Sequence, residues 1–175
     1  MTELDYSVLG VVWREAPITS YAVRRFFAES PTRSWSSSAG SIYPAIKRLV
    51  GEGLVLASEP RGGRGTRLLS ATGQGVAALR QWLLEVGPDI GTATPDPIRT
   101  RTFYLSVLEQ EGRKAFLSAA IRSTEAALET ATSLAEALET VADQRSRYLG
   151  ALGAVFELRA RREWLDLVKR ELGGS

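Results

Sequence analysis

Apolar residues at helical spacing open the chain. Leu4, Val8, Val11 and Val12 recur three and four residues apart, and Leu9 and Trp13 widen the stripe. Thr2 stands where a cap is needed, with Asp5 three residues on, and Ala16-Pro17 closes the segment. The pattern predicts a first helix over about 3–15. Thr19-Ser20 caps a second, whose apolar face is Tyr21, Val23, Phe26 and Phe27, and Ser30-Pro31 stops it. After a polar loop broken only by Trp35, a third helix is expected from near Ser38 to about Gly53. Ile42, Ile46, Leu49 and Val50 form its apolar face, and Pro44 is tolerated in the first turns.

The period then changes. Leu54 to Glu59 and Thr66 to Ser70 are short β-prone runs around a glycine-rich turn, Pro60 to Gly65. They predict a two-stranded hairpin. Thr72 caps the next helix, with Val76, Leu79, Leu83 and Val86 as its stripe. Three prolines and two glycines between Gly87 and Pro97 mark a boundary. Beyond it the chain reads as wholly helical: residues 98–109, a long segment over about 112–143, and a last helix over about 145–172. The long segment carries the seam Leu117, Ile121, Thr124, Leu128, Ala131, Ala135, Leu138 and Ala142, in alternating steps of three and four. The expected organisation is a domain at 1–87, a linker at 88–97 and a helical domain at 98–175. The fold class is mainly α with a small β-hairpin.

Composition narrows the chemistry. The chain has no Cys and no His. Disulfides, thiolate nucleophiles and Cys-ligated metals are excluded, and the commonest general base is missing. Glu125, Glu129, Glu136 and Glu139 lie on a polar helix face and read as solvated, not as a metal site. No catalytic set clusters, so no enzyme and no cofactor is expected. No apolar run reaches the length of a membrane span, and the N-terminus lacks signal-peptide character, so a cytoplasmic location is expected. Net charge is only +2, yet residues 30–67 hold six basic side chains against two acidic ones. A basic segment in a nearly neutral chain suits a polyanion.

That segment coincides with the third helix and the hairpin tip. Three short helices followed by a hairpin give a winged helix-turn-helix layout. The third helix would turn Ile42, Ile46 and Leu49 inward and Ser41, Tyr43, Lys47 and Arg48 outward, and it fits a DNA major groove. The tip would be the wing, where glycines allow close backbone approach and Arg61, Arg64 and Arg67 supply charge. The competing expectation is a winged-helix protein–protein adaptor.

Three stretches resemble PadR-type regulators. Leu4 to Gly10 looks like their opening helix, the run Ser38 to Val55 is similar to their recognition helix and its exit, and Arg67 to Gly75 looks like their second wing strand entering the next helix. Two departures stand out: Thr19-Ser20-Tyr21 where members often show His-Gly-Tyr, and Leu68-Leu69 where an aromatic is common. The resemblance implies a ligand-responsive repressor that binds pseudo-palindromic operator DNA as a homodimer. By position it assigns DNA contact to Ser38, Ser41, Tyr43, Pro44, Lys47 and Arg48, with the wing at Arg64 and Arg67. The C-terminal half resembles the longer subclass, which has a separate helical dimerisation domain. Leu117, Ile121, Leu128, Leu138, Leu158 and Leu165 are the dimerisation candidates, the seam meeting the last helix of the same chain, a second copy, or both. Phe156 and Trp164, beside a small-residue stretch, are the candidates for a small-molecule effector site.

Overall fold

The computed structural model describes residues 1–29, 40–60, 66–87, 91 and 96–172. The chain divides into two compact units, Met1–Thr92 and Ala93–Ser175.

In the first unit, α1 spans Glu3–Glu15. Its start is a reciprocal cap: the Asp5 N–H donates to Thr2 Oγ1, and the Thr2 N–H donates to Asp5 Oδ2. A two-residue strand β1, Ile18–Thr19, leads into α2, Ser20–Ala28, whose N-cap Thr19 accepts from the Ala22 N–H. The helix α3 covers Ile42–Gly51, then come β2 (Val55–Ala57), β3 (Leu68–Ala71) and α4 (Gly73–Leu84). The sheet has three antiparallel strands in the order β1-β3-β2, not the two expected from the sequence. β1 pairs Ile18 with Leu69 and Thr19 with Leu68. Two residues are too few to display an alternation, so this strand leaves no periodic trace.

Val8, Leu9, Val12, Val23, Phe27, Ile42, Leu49 and Leu69 are the solvent-free centre of this unit. The exit from α3 is built for a sharp reversal. Gly53 lies at φ +72°, the left-handed region that side chains disfavour, and the Leu54 N–H donates to the Leu49 carbonyl. Thr72 then ties α4 to this corner. Its hydroxyl donates to the Gly53 carbonyl, while its oxygen accepts from the Gly75 N–H. Gly75 packs so tightly on the Leu54 backbone that a Cβ there would sit 2.1 Å from the carbonyl oxygen.

Several face assignments change. In α3, Ala45 is buried while Val50 is exposed. The residue at 45 lies a turn from Ile42 and Leu49, whereas 50 falls at the helix edge. In α2, Tyr21 is exposed, and so are Leu83 in α4 and Val86 just beyond it; Gly75 and Leu79 of α4 are buried, and Ala78 and Trp82 pack against the core. Trp82 stacks on Tyr6 at 5.1 Å and donates its indole N–H to Glu3, whereas Trp13 is more than half exposed.

The second unit opens with α5, Pro97–Thr102, and a single 3-10 turn, Leu105–Val107. Asp96 caps α5 by accepting from the Ile98 and Arg99 N–H groups, so the end of the expected linker is already structured. Residues 98–109 are therefore two short pieces, not one helix. Two long helices follow, α6 (Gln110–Glu139) and α7 (Arg145–Leu172), packed against each other. The predicted seam of α6 is the packing seam: Leu117, Ile121, Thr124, Ala131, Ala135 and Leu138 are buried, and Ala142 lies beyond the helix, exposed. From α7, Ala151, Val155, Leu165 and Val168 meet it. Arg161 pairs with Asp96, and Arg162 bridges Glu125 and Asp166, so one carboxylate of the acidic run on α6 is a salt-bridge partner.

Candidate nucleic-acid interface

The outward face of α3 follows from its inward one. With Ile42, Ala45, Ile46 and Leu49 held in the core, helical geometry turns Ser41, Tyr43, Pro44, Lys47 and Arg48 to solvent, and all five are exposed. Ser41 is the N-cap of α3 but makes no side-chain cap bond. Lys47 forms no ion pair among the described residues. Arg48 is engaged differently. Its guanidinium donates to Asp5 Oδ1 at 2.5 Å, and its side chain remains 48% exposed while that of Asp5 is only 4% exposed.

Burial by itself would raise the Asp5 pKa. The hydrogen bonds from Thr2 and the Arg48 guanidinium outweigh it and hold the carboxyl below its ordinary value. Asp5 therefore enters the site as a charged group, and sequence reasoning saw it only as a cap residue. The pairing spans 43 positions, so no local pattern could reveal it.

A groove of about 560 Å³ runs beside this face, lined by Thr19, Ser20, Tyr21, Tyr43, Thr66 and Arg67. It brings together the start of α2, the first turn of α3 and the base of the hairpin. Tyr43 and Arg67, assigned independently from the sequence, meet here. Thr19, Ser20, Tyr21 and Thr66 were not assigned. Tyr21, whose ring carries Arg24 over it at 5.6 Å, had been placed in the core by its aromatic character. Ser38, Arg61 and Arg64 lie outside the described residues.

The remaining candidates are placed elsewhere. Leu117 and Leu165 are wholly buried, and Ile121 and Leu138 are 8% exposed, inside one chain. Leu128 and Leu158 are half-buried against the same core. Within one chain, α6 and α7 meet along this seam. On α7, Phe156 is 63% exposed, and Trp164 packs against the Leu105–Leu165 cluster. Neither lines the groove of about 180 Å³ on the α6–α7 flank, which Tyr148, Leu152, Val155 and Arg159 help to form. Among the described residues, no group of three or more acidic side chains is gathered as a metal site would need.

Residues 8–81, which build the core and span this interface, match the model of the transcriptional regulator PadR-like family. Over that stretch the chain is similar to that family. The chain is 27% identical over 115 residues to the negative transcriptional regulator PadR of Bacillus subtilis (strain 168). The match takes in 63% of the chain and 61% of that relative's length. Its fold is similar to that of Bacillus subtilis PadR in complex with operator DNA, with a TM-score of 0.83 and 21% identity over 98% of this chain and 99% of the other. The structure of Bacillus subtilis PadR in complex with p-coumaric acid is also similar, with a TM-score of 0.78 and 20% identity over 98% and 96%. The likeness in fold covers both units. Among the described residues, no helix is long and apolar enough to cross a membrane.

Proposed function

We propose that this PadR-like regulator is a homodimeric repressor that reads pseudo-palindromic operator DNA through α3 and the wing, and that a small-molecule effector releases it. The observation that carries the reading is the convergence of Tyr43 on α3 and Arg67 at the hairpin base on one groove, next to the exposed Lys47. A single exposed helix fits a major groove, and cations beside it meet the flanking phosphates. The start of α2 at the same groove adds the positive end of a helix dipole. Two copies would set two recognition helices about one DNA turn apart. The family match over residues 8–81 supports regulation of transcription over catalysis, and the cytoplasm as the place where it happens. Effector release is supported by the p-coumaric acid complex of the Bacillus subtilis relative.

The test is binding of the full chain to the DNA upstream of its own reading frame. We expect a specific complex, and we expect Lys47→Ala and Arg67→Ala each to weaken it and to lower the slope of log K against log salt by about one. Absence of any specific complex at about 0.15 M salt, where specific binders are still tight, would overturn the reading.

A further inference from the structure

Asp5 is an odd residue for a surface meant to meet a polyanion. It is nearly solvent-free, yet both of its oxygens are committed. Oδ2 accepts from the Thr2 N–H at 2.8 Å and Oδ1 from Arg48 at 2.5 Å. The first bond belongs to the cap of α1, so the carboxylate cannot swing away. The second reaches into the last turn of α3.

We propose that Asp5 is a specificity-determining positioning residue: it fixes the direction of the Arg48 guanidinium, so that this cation addresses one place on a duplex instead of any nearby phosphate. The inference rests on the DNA-reading function above. Arg48 has five N–H donors in a rigid fork, and half of its side chain stays in solvent after the Asp5 contact. A tethered fork loses little further freedom on binding, which favours the site it already points to. Lys47, the preceding residue, is exposed and pairs with nothing among the described residues, so it can follow whatever phosphate is near. One cation on this face supplies attraction, and its neighbour supplies direction. For affinity alone the arrangement is poor, because Asp5 neutralises a cation and repels phosphate. An asparagine would cap α1 as well. The charge at position 5 makes sense as a trade of general affinity for discrimination.

The experiment uses the full chain and two duplexes. One is selected by the wild-type chain from a random-sequence pool, and the other is a shuffled duplex of the same composition. Affinities for both are measured for wild type, D5N, R48Q and D5N/R48Q, at a temperature where melting curves show each to be folded. In D5N the ratio of selected to shuffled affinity is expected to fall about tenfold, a difference of about 1.4 kcal/mol, with shuffled-duplex binding unchanged or tighter. In the R48Q background D5N is expected to lower the ratio no further, because the two residues act as a unit. D5E, which restores the charge, is expected to recover part of the ratio. A D5N ratio within about twofold of wild type overturns the proposal, since no coupling would then exceed ordinary additivity error. So does an equal loss in the R48Q background. If D5N does not fold, R48Q leaves the cap intact, and an unchanged ratio in that variant overturns the proposal. A wild-type chain that enriches no sequence from the pool overturns the DNA-reading function itself.

Discussion

At the residue scale, the carboxylates of Asp5 and Asp96 have the same design. Each caps a helix through backbone N–H groups, each holds an arginine from a distant element, and each has its pKa lowered against the opposing effect of burial. A carboxyl depressed on folding contributes stability that is present above its unfolded value, about 4, and is lost as pH falls through the folded value. We therefore expect acid to loosen α1 from α3 and α5 from α7 below about pH 4, by protonating these two groups. The check is a comparison of melting temperatures for wild type and Asp5→Asn. The gap should be widest near neutral pH and should close at low pH, where Asp5 is protonated in both folded and unfolded chains. A gap of constant size across that range would show that the charge of Asp5 adds nothing. None of this was legible in the sequence beyond the cap. Spacing of three residues reveals a local bond, whereas Arg48 and Arg161 arrive from 43 and 65 positions away.

At the element scale, the sequence was most informative where burial demanded a long period. The first helix is predicted and found over 3–15, and the seam of α6 is correct to within its last residue. Errors gather where a helix end or an aromatic ring decouples apolarity from burial. Tyr21, Val50, Leu83 and Val86 are apolar at nearly correct spacing, yet they sit at element edges and stay in water. The wing corner shows the opposite case, where one small residue carries the geometry. A Cβ at Gly75 would run into the Leu54 backbone, whereas one at Gly73, two positions earlier, would meet nothing within 4 Å. Gly75→Ala must push α4 off the sheet, because the clash is with backbone and no rotamer relieves it. We expect a loss of about 1–3 kcal/mol for Gly75→Ala, typical of overpacking. Gly73→Ala, in open space at the first helical position, is expected to be neutral or slightly stabilising. Urea titration of the two variants measures both. Equal effects would mean that α4 does not rest on Leu54 as described.

At the scale of the whole molecule, the question is what the helical unit leaves for a second copy. Within one chain, α6 and α7 pack against each other along the predicted seam. Two packed helices still have outer faces, and large apolar side chains remain there. Leu149, Phe156 and Leu167 on α7 and Phe103, Tyr104 and Val107 beside α5 are all 46% exposed or more. In a homodimer the two sets of residues should behave differently. Leu165→Ala opens a cavity in a solvent-free core and is expected to cost about 2–5 kcal/mol whatever the protein concentration. Phe156 lies mostly in solvent, so Phe156→Asp should leave the α6–α7 pair folded and act mainly on association. Because a dimer gains stability by mass action, the wild-type melting temperature should rise with concentration. That rise should persist in Leu165→Ala, shifted to lower temperature, and shrink in Phe156→Asp if α7 meets its partner through this face. Sedimentation at matched concentrations reads the same difference directly, as a dimer for Leu165→Ala and a larger monomer fraction for Phe156→Asp. A wild-type melting temperature independent of concentration, with a monomer in sedimentation, would remove the homodimer and with it the paired recognition helices that a pseudo-palindromic operator requires.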